Sequence, residues 1–420
     1  MTDLSQRLRS EAASLDQQDP LKHILNDFLL PEDCIYLDGN SLGPLPKAAK
    51  TRAKTVVEQQ WGDDLISSWN KHQWIDLPAQ VGAKIAPLLG AEASQVIACD
   101  SISVNLTKVL CAALHKCDKS LVLSQSDNFP TDLYMVQGLS DLLGKSKCEL
   151  VCIDEDEILS SIDKYAEQAA VLMLTHVNFR SGRILDMAAI TEAAHRHDIL
   201  VIWDLAHSAG ALELDLNGCN VDYAVGCTYK YLNGGPGAPA FVYAAKRHLN
   251  DIRQPLSGWM GHKKPFEFTQ KYEAGQGVRA FLAGTPQIIS MSVLDASLDI
   301  FNGLSAQQIR EKSVSLLGFF EACFDALFLP NDGFICITPS EPCQRGSQLA
   351  YSHPDAYAIC QALIDKKVIA DFRAPNILRL GFSPLFLRHQ DMLEAALRLK
   401  VVMENKLYLN SEYQVKHAVT

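Results

Sequence analysis

Short apolar runs alternate with amphipathic stretches through the middle of the chain. Val81–Leu89 reads as a helix, Gln95–Ala98 as a strand and Ser103–Leu114 as a second helix. Ser120–Leu123, Glu149–Ile153, Ala170–Leu174 and Leu200–Trp203 are strand-sized and almost wholly apolar, the pattern of strands covered on both faces. Met187–His197, between the last two, has helical spacing and ends in charged and histidine residues. Strands separated by helices imply βαβ units, hence an α/β fold with a mostly parallel sheet flanked by helices. Ala224–Cys227 and Ala240–Tyr243 add two strands around a loop rich in glycine and proline, Asn233–Pro239. Beyond about residue 300 the rhythm changes to a long helical stretch, short strands near Ile335 and Val368, and a helix from Gln390. The expected division is an N-terminal segment, 1–50, packing with a smaller α+β C-terminal domain, 301–420, and a large domain, 51–300, between them.

Composition narrows the functional classes. Of 420 residues, 48% are hydrophobic and 21% charged, which is ordinary globular usage. With 38 basic and 49 acidic residues the net charge is -11, a balance that disfavours a nucleic-acid backbone as partner. The apolar run Ala169–Val177 is too short to span a membrane, and the polar N-terminal stretch has no apolar signal region, so a soluble cytoplasmic protein is expected. The twelve cysteines are scattered without a C-x-x-C pair, and Cys99, Cys111, Cys227 and Cys360 sit among apolar neighbours as reduced core cysteines do. His195 and His197 are two apart on a helix and point to different faces, so no metal site is expected there. The Gly234-Gly235-Gly237 loop lacks the strand-linked G-x-G-x-x-G of a dinucleotide site.

One constellation carries chemistry. Ile199–Trp203 ends in Asp204, which puts a carboxylate at the carboxyl end of a central strand, the edge where α/β sheets bind ligands. His207 follows, and Tyr229-Lys230 comes directly after the next strand. A strand-end carboxylate facing a lysine suits a pyridoxal 5′-phosphate (PLP) site. The amine condenses with the cofactor aldehyde, and the carboxylate pairs with the ring nitrogen to keep the ring an electron sink. The bland alternative is a helix cap beside a solvent-facing lysine. Trp61, Trp69 and Trp74 are by default packing residues.

The surrounding segments resemble the kynureninase family. They are Leu37-Asp-Gly-Asn-Ser-Leu-Gly43, Trp61–Trp69, Asp127-Asn-Phe-Pro-Thr-Asp132, Trp203–Gly210 and Thr228-Tyr-Lys-Tyr-Leu-Asn-Gly-Gly-Pro-Gly237, in that order. The W-D-x-A-H and Y-K pieces are shared by many PLP enzymes of fold type I; the others are more specific. The resemblance implies hydrolysis of L-kynurenine, or its 3-hydroxy form, to anthranilate, or 3-hydroxyanthranilate, and L-alanine. It implies Lys230 as the cofactor lysine and base, Asp204 as the ring-nitrogen partner, His207 beside them, and Tyr229 as phosphate ligand and proton donor. Ser101 and Ile102 at a helix start would hold the phosphate. Phe129, with Pro130, Thr131 and Asp132, would cover the ring, and Thr175 would touch the cofactor. Trp259 and Thr285 would reach the phosphate of a second subunit, which implies a homodimer. Asn40, Ser41 and Arg379 would bind the substrate's amino-acid end, with His72 and Trp69 on the aryl side. Thr285 stands where animal members carry asparagine, which favours kynurenine without the ring hydroxyl. A cysteine desulfurase or an aminotransferase is the alternative within PLP chemistry, although neither Cys336 nor Cys343 sits in a recognisable nucleophile loop.

Overall fold

The structure is a computed structural model that describes residues 2–416, with side chains from Leu4. Its centre is a seven-stranded sheet in the order Val96–Cys99, Ala240–Ala244, Tyr223–Gly226, Leu200–Asp204, Ala169–Thr175, Leu121–Gln125, Glu149–Ile153. Every pairing is parallel except the two made by Ala240–Ala244, which runs against its neighbours. That reversal follows from the short Asn233–Pro239 connection, which has no crossover helix to bring the chain back to the starting edge. The strands Ala169–Thr175 and Tyr223–Gly226 are buried along their whole length, and Leu200–Asp204 at all but Leu200, as their continuous apolar runs anticipate. Each fully covered Val, Leu or Ile there contributes about 1.5–3 kcal/mol of hydrophobic stabilisation.

Helices cover both faces. Ile102–Leu114 starts with Ser101 as N-cap, whose hydroxyl accepts from Val104 N at 3.4 Å. Pro130–Leu143 starts with proline at its first position, where no N–H is missed. The helix expected to reach His197 stops at His195, because Asp198 takes a left-handed φ of 55°.

Beyond the central sheet, the 22-residue helix Ala306–Leu327 and the helix His389–Glu404 pack together beside a four-stranded antiparallel sheet. That sheet runs Ile335–Cys336, Gln348–Ser352, Ile377–Gly381, Asp371–Arg373. The N-terminal helix Thr2–Gln18 lies on His389–Glu404, and Ile35–Tyr36 pairs in parallel with Val368–Ile369. Among the described residues no helix is long and apolar enough to cross a membrane.

Candidate active site

Lys230 stands just past the Tyr223–Gly226 strand, and its Nζ lies 2.9 Å from His207 Nε2. Burial pushes the Lys230 amine below its ordinary range. Burial also pushes His207 well down, aided by the charges of Lys230, Arg379 and Arg373, so its imidazole is neutral. Asp204 ends the adjacent strand; its Oδ1 accepts from Ala206 N at 2.7 Å, which fixes the carboxylate against its own turn. Burial raises Asp204 even so, and it raises Asp132 further, with the neighbouring Asp204 charge adding to the effect. Burial and their mutual repulsion therefore oppose the simultaneous ionisation of these two carboxyls.

Several buried polar atoms around these strand ends lack a partner: His207 Nδ1, both oxygens of Asp132, and Gln125 Nε2. Unpaired buried groups are costly, and a cluster of them at one strand edge marks a place built for a polar guest. Thr175 N donates to Gln125 Oε1 at 2.9 Å and Thr175 Oγ1 to Val177 O at 3.3 Å, so the threonine lies in the same row. Phe129 caps the helix Pro130–Leu143 with its ring 41% exposed and meets Phe179 edge-on, at 5.3 Å between centroids. Pro130 and Thr131 form the first turn of that helix, and Ser101 and Ile102 start the other, so both present unpaired N–H groups. A ring with a basic nitrogen, an aldehyde and a phosphate fits this donor set. Tyr229 completes it: Cys227 and burial hold its phenol above its ordinary value, so it keeps its proton.

A second cluster faces this one. Arg379 is 1% exposed; its Nε and Nη2 grip Asp371, its Nη2 also reaches Ser41 Oγ at 2.8 Å, and its Nη1 donates to Phe179 O at 2.6 Å. Asn40 Nδ2 donates to Gln348 Oε1 at 3.2 Å, and Gln348 Nε2 donates to the same Phe179 carbonyl at 3.2 Å. The Asn40–Gly43 loop reaches the lysine directly: Gly43 N donates to Tyr229 O at 2.7 Å. A Cβ on Gly43 would stand 2.4 Å from the Lys230 carbonyl, so only glycine permits that approach.

The chain does not bring every expected residue into this group. His72 Nε2 pairs with Asp64 Oδ2 at 2.7 Å. Near it Trp69 meets Trp74 at 6.0 Å and Trp259 at 6.2 Å. Trp259 has its own contact with Phe266, and Thr285 is exposed. Trp74 is buried, but Trp61 is 57% exposed and is not a core residue. The histidines His195 and His197 are tied to different carboxylates, Asp222 and Asp163. Cys111 is only partly buried, unlike Cys99, Cys227 and Cys360. Asp38, Asp371, Arg373 and Gln348 are absent from the sequence-based expectation. For Asp371 and Arg373 a signal existed in their spacing before Arg379, which alternates along a hairpin; for Asp38 and Gln348 only the fold supplies the neighbours.

Comparison with known proteins gives the context. Residues 71–332 match the Aminotransferase class-V family, and residues 309–399 match the Kynureninase C-terminal domain family. A protein named kynureninase from Deinococcus radiodurans is 46% identical over 93% of this chain and 95% of its own length. One of the same name from Burkholderia mallei is 44% identical over 99% of this chain and 100% of its own. Among solved structures, an apo cysteine desulfurase from Thermococcus onnurineus superposes with a TM-score of 0.75 at 18% identity, covering 92% of this chain and 97% of its own. A C-DES variant with glycine linked to its PLP cofactor superposes at 0.76, also with 18% identity, over 88% of this chain and 97% of its own. At that identity the likeness establishes the fold alone.

Proposed function

Because the chain belongs to the kynureninase family, we propose that it hydrolyses the Cβ–Cγ bond of L-kynurenine, releasing anthranilate and L-alanine, with PLP as cofactor. One observation carries this reading: near-complete coverage at 44–46% identity to proteins of that name, with a half-buried lysine and a buried aspartate and histidine gathered at the strand ends. 3-Hydroxykynurenine is the second substrate, and Thr285 favours the unhydroxylated ring. The enzyme acts in tryptophan breakdown, in the cytoplasm.

Bound at Lys230, the cofactor supplies an electron sink for charge on the substrate carbons. The residues then divide the work. Asp204, with Asp132 behind it, would pair with the ring nitrogen. The helix starts at Ser101-Ile102 and the Tyr229 hydroxyl take the phosphate. Phe129 covers the ring, held by Phe179, and Pro130, Thr131 and Thr175 complete the lining. His207, neutral, accepts or donates beside the Lys230 nitrogen. The Lys230 amine, its basicity lowered by burial, would remove the α-proton. Tyr229 keeps its proton until the chemistry is complete and delivers it to the carbon that becomes the alanine methyl. Arg379, Ser41 and Asn40 hold the amino-acid end; His72 and Trp69, which lie with Trp259 apart from this group, would line the aryl end across a dimer interface.

The division at residues 1–50, 51–300 and 301–420 is part of the same proposal, supported by the Ile35–Tyr36 pairing with Val368–Ile369. So is a homodimer: Trp259 and Thr285 sit away from the Lys230 group and would complete a second subunit's phosphate site. The desulfurase alternative gains no support from Cys343, which lines an outer cleft with Glu155 and Arg183. The test is the absorbance spectrum of the purified protein before and after L-kynurenine, read together with anthranilate fluorescence. A cofactor band and appearance of anthranilate with alanine are expected. A cofactor band without anthranilate would move the chain to another PLP reaction.

A further inference from the structure

Arg379 alone is poorly placed to hold a carboxylate. Its Nε and one Nη2 hydrogen are taken by Asp371, the other Nη2 hydrogen by Ser41, and one Nη1 hydrogen by the Phe179 carbonyl. A single N–H remains, which cannot make the two-pronged contact that gives arginine its advantage over lysine. Its charge is also cancelled locally. Asp371 is buried, yet Arg379 and Arg373 hold it below the ordinary carboxylate range, so it is ionised.

A second guanidinium converges on the same hydroxyl. Arg373 lies across the hairpin from Ile377, with Asp371 across from Arg379. Its Nη2 stands 3.2 Å from Ser41 Oγ and 2.7 Å from Asp371 Oδ2. Its Nε is buried without a partner, and its Nη1 makes no hydrogen bond among the described residues. The positive charge of Arg373, like that of Arg379, also bears on His207 and Lys230, so both lie within electrostatic reach of the lysine. Asp371 and Arg379 sum to zero; Arg373 makes the cluster cationic.

We propose that Arg373 is a second substrate-carboxylate residue, supplying the net positive charge and the unoccupied N–H groups that Asp371 withdraws from Arg379. The inference rests on the amino-acid end of the substrate lying at Arg379. In this arrangement Asp371 aims both arginines, and Ser41 is the hydroxyl between them that the carboxylate displaces or joins.

The test uses the holoenzyme and three probes: L-kynurenine, the product L-alanine, and 2-aminoacetophenone, which keeps the aryl ketone but has no amino-acid end. Arg373→Gln should raise KM for L-kynurenine about tenfold or more, change kcat by less than about threefold, and weaken L-alanine in proportion. Inhibition by 2-aminoacetophenone should stay as in wild type. Arg373→Lys should recover most of the loss, because the charge is restored. If the Gln variant does not fold, Arg373→Met, which keeps the apolar stem, replaces it. An unchanged KM in the neutral variants overturns the proposal. So does an equal loss for 2-aminoacetophenone, which would make Arg373 a support of the pocket's shape, or a Lys variant as poor as Gln. A wild-type enzyme that does not cleave L-kynurenine defeats the functional reading instead. The L-alanine titration of the cofactor band then still decides the role of Arg373.

Discussion

Asp38 shows how one buried acid tunes the site. Burial, with the charge of Asp371 behind it, pushes its carboxyl up to about 7, and its Oδ1 has no partner. Below that pH Asp38 is neutral and the Arg373–Arg379 cluster keeps its positive charge. Above it the new negative charge cancels that excess, so KM should rise on the alkaline side of about 7. The same ionisation lowers stability as pH rises from the unfolded value toward 7, because the buried acid prefers to stay protonated. Asp38→Asn should flatten the alkaline rise in KM, which a pH series of initial rates would read. For Tyr229→Phe, turnover should fall about 100-fold if the phenol is the proton donor, while cofactor affinity falls less than about tenfold. Equal losses in the two measurements would remove that role.

Among the elements, the loop from Asn40 to Gly43 and the bend at Asp222, just before the strand Tyr223–Gly226, are tightly constrained. Gly43→Ala would drive a methyl into the Lys230 carbonyl and the Asn233 side chain. The loop would have to leave the lysine, and KM should rise together with a lower melting temperature. Asp222 ties three elements at once: His195 from one helix at 2.7 Å, His248 at 2.7 Å, and Val201 N of the central strand at 2.9 Å. Arg247 adds a further contact at 2.6 Å. Although burial opposes it, these bonds hold the Asp222 carboxyl well below its ordinary value. Its stabilisation is therefore present above the unfolded carboxylate value and is lost only as pH falls far into the acid range. Asp222→Ala should cost about 3 kcal/mol or more, because it leaves buried donors without an acceptor; urea melts at neutral pH would show it.

At the scale of the whole molecule, the N-terminal helix and Asp19 just after it are fastened to the C-terminal part by polar side-chain contacts. Lys312 meets Asp19 at 2.6 Å with both side chains buried, and His389 Nδ1 meets Asp16 at 2.9 Å. Leu8 and Ala12 bury the apolar face of that helix. Removing residues 2–19 would uncover that surface and leave the buried Lys312 amine without its Asp19 partner. The truncated chain should melt at a lower temperature and bind substrate more weakly, since Asn40 and Ser41 lie further along the same N-terminal segment. Differential scanning calorimetry of the two proteins decides it.

The sequence by itself determined the strand and helix rhythm of residues 96–244, because buried parallel strands leave continuous apolar runs and their ends can be counted. It also determined the lysine, the strand-end aspartate and the phenylalanine turn, since each belongs to a local motif. The antiparallel course of Ala240–Ala244 was hidden, because strand direction depends on which edge the chain returns to. The helix Thr2–Gln18 was hidden as well: its apolar face is sparse, and only docking on His389–Glu404 gives it a partner. The cluster of Asp38, Ser41, Asp371, Arg373 and Arg379 joins residues more than 300 positions apart, 330 between Ser41 and Asp371. No periodicity marks such a meeting, and its charge balance exists only once the fold has excluded water from it.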